Sequence, residues 1–136
     1  MMPKPIIHTF TVKVKPEHLD ELNHVNNVVY IAYLQEAAIS HWYSSVPQDV
    51  SDKIRWVVRK HEVEYLKPAK ENDDLIIHTW ISKFNGISSE RHYEIRRGHE
   101  LLVKAFTLWI ALDSETMKPK RLSSGLSEYF FESSVL

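Results

Sequence analysis

The chain has 136 residues, 43 % hydrophobic and 11 % aromatic, enough to fill one compact core and too few for a second domain. Its 17 Lys+Arg against 18 Asp+Glu leave a formal net charge of -1, so no global field favours nucleic acid or an anionic membrane surface. With no cysteine, thiolate nucleophiles, Cys-ligated zinc and disulfide stapling are excluded, and a reducing compartment fits.

The opening Met-Met-Pro-Lys-Pro-Ile-Ile-His lacks the apolar core of a secretory signal, and the longest apolar runs are too short to span a bilayer. A soluble cytoplasmic protein is expected, with no membrane partner and no nucleic acid. Residues 7–15 alternate, with Phe10, Val12 and Val14 on one side and Thr9, Thr11 and Lys13 on the other, which predicts a half-buried strand stopped by Pro16. Residues 17–23 are polar apart from Leu19 and Leu22 and read as a loop into a helix starting at Asn26 or Asn27.

That helix is expected over about 27–43. Val28, Val29, Tyr30, Ile31, Leu34, Ala38 and Trp42 make it apolar round most of its circumference, so it must be enclosed. Its polar exceptions Glu36, Ser40 and Ser44 recur every four residues and form one narrow stripe.

Beyond a loop containing Pro47, strands are expected at about 55–67, 75–84, 88–97 and 101–112. Asn85-Gly86 signals a two-residue hairpin and Arg97-Gly98-His99-Glu100 a second turn, so the last three strands should form an antiparallel meander. The tail from Ser123 has the makings of one short helix around Leu126, Tyr129 and Phe130. One strand, one helix and four strands give an α+β class: a curved antiparallel sheet of five or six strands wrapped round one central helix, in a single domain over residues 1–136. Trp80, Ile76 and His78 share one parity while Leu75, Ile77, Thr79 and Ile81 share the other. Two partly buried sheet faces predict a dimer.

The chemistry concentrates in Asp20-Glu21-Leu22-Asn23-His24-Val25-Asn26-Asn27-Val28-Val29-Tyr30, followed by Glu36. A carboxylate, an imidazole and two amides meet a helix entrance, where free N–H groups and the positive dipole end stabilise an oxygen gaining negative charge. The segment resembles the signature of the 4-hydroxybenzoyl-CoA thioesterase-like branch of the hotdog superfamily, Asp-x-x-Gly-His-Val-Asn-Asn-x-x-Tyr with a later Glu-x-Ala-Arg. Asp20, His24, Val25, Asn26, Asn27, Tyr30, Glu36 and Ala38 match it. Glu64-Tyr65-Leu66-Lys67-Pro68-Ala69 with Asp73-Asp74-Leu75 resembles the family's second landmark, and His-Val-Asn-Asn-x-x-Tyr is also similar to plant acyl-carrier-protein thioesterases. Two positions depart: Asn23 stands where Gly is usual, and Ile39 replaces the Arg.

The resemblance implies a hotdog fold and hydrolysis of an acyl-CoA thioester, with acyl-carrier-protein thioesters or non-catalytic acyl-thioester binding as the alternatives. It implies that Asp20 acts on the thioester, as a nucleophile giving a mixed anhydride or as general base for water. It further implies that N–H groups near Asn27 and Val28 polarise the carbonyl. No metal or organic cofactor is then needed beyond the coenzyme A of the substrate. The acyl tunnel would lie between two copies, in a homodimer or a dimer of dimers.

Candidate catalytic residues are therefore Asp20, His24 and Asn27, and candidate substrate-binding residues Asn26, Val28, Tyr30 and Glu36. Each has an ordinary alternative: a loop aspartate for Asp20, a packed histidine for His24, helix caps for Asn26 and Asn27. Glu36 is expected to be buried or beside the substrate, with a solvated helix residue and a second catalytic carboxylate as the alternatives. Arg59, Lys60, Lys118, Lys120 and Arg121 are available for coenzyme A phosphates or are plain surface charge, and none is assigned. His61-Glu62-Val63-Glu64 lacks the second His of a zinc helix, and neither a Gly-x-Ser-x-Gly elbow nor a His-Phe-Pro element is present.

Overall fold

The computed structural model describes residues 3–133. Strand β1 (His8–Lys13) leads through a 3₁₀ turn (Pro16–His18) to helix α1 (Asn27–Ser45) and the one-turn helix α2 (Gln48–Ser51). Four long strands follow: β2 (Ile54–Tyr65), β3 (Asp74–Asn85), β4 (Ser88–Arg97) and β5 (Glu100–Asp113). All pair antiparallel in one five-stranded sheet of order β1-β3-β4-β5-β2, with the expected β3-β4-β5 meander at its centre.

Alternation sets the faces. Leu75, Ile77, Thr79 and Ile81 of β3 are buried toward α1, while Ile76, His78 and Trp80 are half-buried on the outer face. Bulges interrupt the register at Arg59 in β2, at Ser82 in β3 and at Leu102 in β5. Such insertions bend strands and raise local twist, which lets the sheet curve round a helix. The meander's first turn is displaced by one residue from expectation: Asn85 pairs with Ser88, so Gly86 and Ile87 form it. Gly86 carries the positive φ of 65° that such a turn needs.

Leu34 of α1 packs in one cluster with Ile77, Ile95 and Leu102 of the sheet, all at 0 % exposure, each contributing roughly 1.5–3 kcal/mol through burial. A second cluster joins Trp42, Ile81 and Phe130. Phe130 belongs to the tail, which forms a 3₁₀ turn at Ser124–Tyr129 and stacks on Trp42 with ring centroids 5.8 Å apart. Within the chain the sheet covers only one side of α1. Val28, Ala32, Glu36, Ile39 and Tyr43 remain exposed, so the expectation of a fully enclosed helix is corrected. The sheet ends at β2 and leaves an open seam between that strand and α1. Among the described residues no helix is long and apolar enough to cross a membrane.

Candidate active site

The loop before α1 is a tight, self-bonded turn. The Asp20 N–H donates to the His24 carbonyl at 2.8 Å, and the Asn23 N–H to the Asp20 carbonyl at 3.0 Å. Asp20 Oδ1 accepts from the N–H groups of Leu22 at 2.9 Å and His24 at 3.2 Å, which fixes the carboxylate's orientation. Its Oδ2 has no hydrogen-bond partner among the described residues. Asn23, standing in the family's Gly position, takes φ 61°. Asn is among the few side chains that tolerate this left-handed conformation, so the departure preserves the turn.

Asn26 caps α1: its Oδ1 accepts from the Val28 N–H at 2.9 Å, and its carbonyl accepts from Val29 at 2.9 Å and Tyr30 at 3.3 Å. The cap divides the two amides expected to polarise a carbonyl. The Val28 N–H is consumed by Asn26, whereas the Asn27 N–H donates to nothing among the described residues. Asn27 therefore offers the open donor at the positive end of the helix.

A second wall stands opposite. The Val25 N–H donates to the Ala69 carbonyl at 2.9 Å, and the Ala69 N–H to Tyr30 Oη at 2.9 Å. Tyr30 is 3 % exposed and lies 5.5 Å from the Tyr65 ring; burial pushes its phenol up from the ordinary value, so it stays protonated. Between the walls lies a cleft of about 420 Å³, with Asp20, His24, Asn27 and Tyr30 on one side and Tyr65, Lys67 and Pro68 on the other. Lys67 pairs with Glu100 at 2.8 Å.

Asp20, His24, Asn27 and Tyr30 thus meet in one cavity; Asn26, Val28 and Glu36 do not line it. Asn26 is an exposed cap, and Val28 is 75 % exposed, pointing off the helix. Glu36, expected to be buried or beside the substrate, is exposed on the uncovered side of α1. Its stripe partners are spent locally: Ser40 Oγ bonds His8 Nε2 at 3.0 Å, and Ser44 Oγ donates to the His41 carbonyl at 3.2 Å. The unassigned cations do not line the cleft; Lys60 pairs with Glu62 and Lys120 with Asp113. Tyr65 and Lys67 were not singled out by residue type, although the second sequence landmark contains both. A larger cavity of about 510 Å³ lies farther along the α1–β2 seam, away from Asp20.

A curved antiparallel sheet packed along one side of a long helix, with a fixed carboxylate and a free amide at the helix entrance, is a hotdog-fold arrangement. The chain belongs to the thioesterase-like superfamily, whose family model matches residues 14–130. It is 30 % identical over 123 residues to the acyl-CoA thioester hydrolase YbgC of Shigella flexneri, covering 88 % of this chain and 92 % of that one. It is 27 % identical over 124 residues to the long-chain acyl-CoA thioesterase FadM of Escherichia coli, covering 86 % and 92 %. The crystal structure of YbaW, a probable thioesterase from Escherichia coli, superposes with a TM-score of 0.79 at 28 % identity over 90 % of this chain and 95 % of that one.

Proposed function

We propose that this chain hydrolyses acyl-CoA thioesters in the cytoplasm, releasing the free acid and coenzyme A. The observation that carries the reading is the shared cleft of Asp20, anchored through Oδ1 with Oδ2 unengaged, and the unpaired Asn27 N–H. The thioester carbonyl oxygen accepts from that amide, and the helix dipole supports the negative charge formed on attack. Asp20 either takes the proton of an attacking water or itself attacks the carbonyl carbon, giving an anhydride that water then cleaves. In both routes the C–S bond breaks and the thiol, far more acidic than an alcohol, departs as thiolate. Coenzyme A enters as part of the substrate, and no other cofactor has a step to perform. His24 lines the cleft beside the turn that holds Asp20, and Tyr30 secures the opposite wall.

The acidity of the leaving thiol is common to coenzyme A and acyl carrier protein, so the carrier is chosen by contacts outside the cleft. The exposed apolar stripe of α1 supports a homodimer, or a pair of dimers, in which a second copy covers the seam. Thiol release from a panel of alkyl- and aryl-CoA esters, with acyl-carrier-protein esters alongside, tests the reading; no release from any of them refutes it. Single turnover in ¹⁸O-water tests the nucleophilic route: label found in Asp20 marks an anhydride opened at the Asp20 carbon.

A further inference from the structure

Arg91 sits on β4 facing α1 and is 3 % exposed. A guanidinium has five N–H donors. Both of those on Nη1 are engaged, one on His41 Nδ1 at 2.9 Å and one on Thr79 Oγ1 at 3.0 Å. His41 can only accept here. Burial first, then the Arg91 charge and His8, push its pKa down to about 3, so it is neutral and supplies no counter-charge. No carboxylate pairs with Arg91 among the described residues. A buried cation without an anion is among the costliest arrangements a core can hold.

The unused donors are those on Nε and Nη2, the side-on edge of the guanidinium that matches the two oxygens of one carboxylate. Fully enclosed side-chain nitrogens without a partner are, among the described residues, His41 Nε2, Trp42 Nε1 and Trp56 Nε1. Arg91 Nε and Nη2 are outside that set and so retain open space beside them. Arg91 lines the 510 Å³ cavity, together with Ser89 from β4 among Ile39, Trp42, Trp56 and Trp109. Arg55 also lines it, but it is exposed, with Nη1 donating to the Ser51 and Ile54 carbonyls, so its charge is solvated where that of Arg91 is not. An apolar, aromatic-walled chamber holding one deeply buried cation fits an apolar chain that ends in an anion.

We propose that this chamber binds a carboxylate-terminated apolar chain, with the Nε–Nη2 edge of Arg91 gripping the carboxylate. Two sources share this chemistry. One is a free fatty acid. The other rests on the thioesterase reading: the far carboxylate of an acyl chain whose thioester lies in the helix-entrance cleft. At 1.5 Å per residue His41 stands about 21 Å from Asn27 along α1. Both cavities border the same seam, β2 giving Tyr65 to one and Trp56 to the other. The second source therefore demands a long dicarboxylic acyl group.

Titration calorimetry of the intact protein with laurate and with 1-dodecanol, both as monomers, tests the site. Laurate should bind at least about tenfold more tightly, as a hydrogen bond to a charged group allows. Arg91→Met should abolish the difference and Arg91→Lys, which keeps charge but loses the fork, should retain part of it. Equal affinities in the wild type overturn the proposal without any variant, and so does a laurate preference that survives in a folded Arg91→Met. Thiol release from hexadecanedioyl-CoA against palmitoyl-CoA identifies the source. A preference for the former that disappears in Arg91→Met assigns the chamber to the substrate's far end, and equal rates with the laurate preference intact assign it to a free acid. If no CoA ester is hydrolysed while laurate still outbinds dodecanol, the hydrolase reading fails and the carboxylate site stands.

Discussion

Tyr30 Oη accepts a 2.9 Å hydrogen bond from the buried N–H of Ala69, thirty-nine positions later in the chain, and so ties the first turn of α1 to the wall facing Asp20. Removing the hydroxyl strands that N–H in an apolar setting. Tyr30→Phe should lose about 1–3 kcal/mol of stability, the cost of an unpaired buried amide. Urea midpoints read the loss, and thiol release should fall in parallel as the wall loosens. An unchanged urea midpoint would show that the bond is dispensable.

Asp20 holds its turn with Oδ1, an atom that asparagine also possesses. Asp20→Asn should therefore keep stability within about 0.5 kcal/mol while lowering kcat by roughly 10²-fold or more, the size expected for a lost acid–base group. Asp20→Ala removes the acceptor as well and should cost both activity and stability. Parallel melting curves and steady-state rates separate the two effects; a rate in Asp20→Asn equal to wild type would take the carboxylate out of the reaction.

Asn23 tests the turn itself. At φ 61° Asn23→Gly should be close to neutral, because glycine reaches this conformation without steric cost. Asn23→Val, β-branched at a positive φ, should cost about 1–2 kcal/mol. Chemical denaturation of the two variants checks the contrast.

His41 makes stability depend on acid. Its folded pKa, about 3, lies far below the ordinary 6.5, so the unfolded chain binds a proton that the folded chain refuses. The associated stability is complete above about pH 6.5 and is lost as pH falls toward 3, with a slope of up to about 1.4 kcal/mol per pH unit. His8, stacked on His41 at 4.9 Å, is also shifted down by burial and then by Arg91, and adds in the same direction. His41→Gln, which can still accept from Arg91, should show a shallower fall of melting temperature between pH 7 and 4.5. Identical slopes would remove His41 from the acid response.

The strands and the helix were legible because period-2 and near-continuous apolar patterns differ, and Asn26 announced the helix start as a cap. Asp20, His24 and Asn27 were legible as polar groups at one helix entrance and Tyr30 through the resemblance to the family signature, and the four line one cleft. Strand parity was legible only in pieces. Trp56 and Val58 are half-buried, and beyond the bulge at Arg59 the half-buried positions become His61 and Val63, an offset that alternation does not encode. The exposure of Glu36 was not legible, since an apolar circumference says nothing about where a sheet stops. Nor was Arg91: in sequence it is one more charged residue of Ser-Ser-Glu-Arg-His-Tyr, and only the alternation of β4, buried at 89, 91, 93 and 95, turns it inward.

Strand β2 is bonded to β5 along one side and to no other described strand along its second, yet it walls both cavities. A strand with half the ladder bonds of its central neighbours opens at lower free energy than they do. One strand therefore borders both compartments, and a substitution that displaces β2 would alter the mouth at Tyr65 and the chamber at Trp56 together.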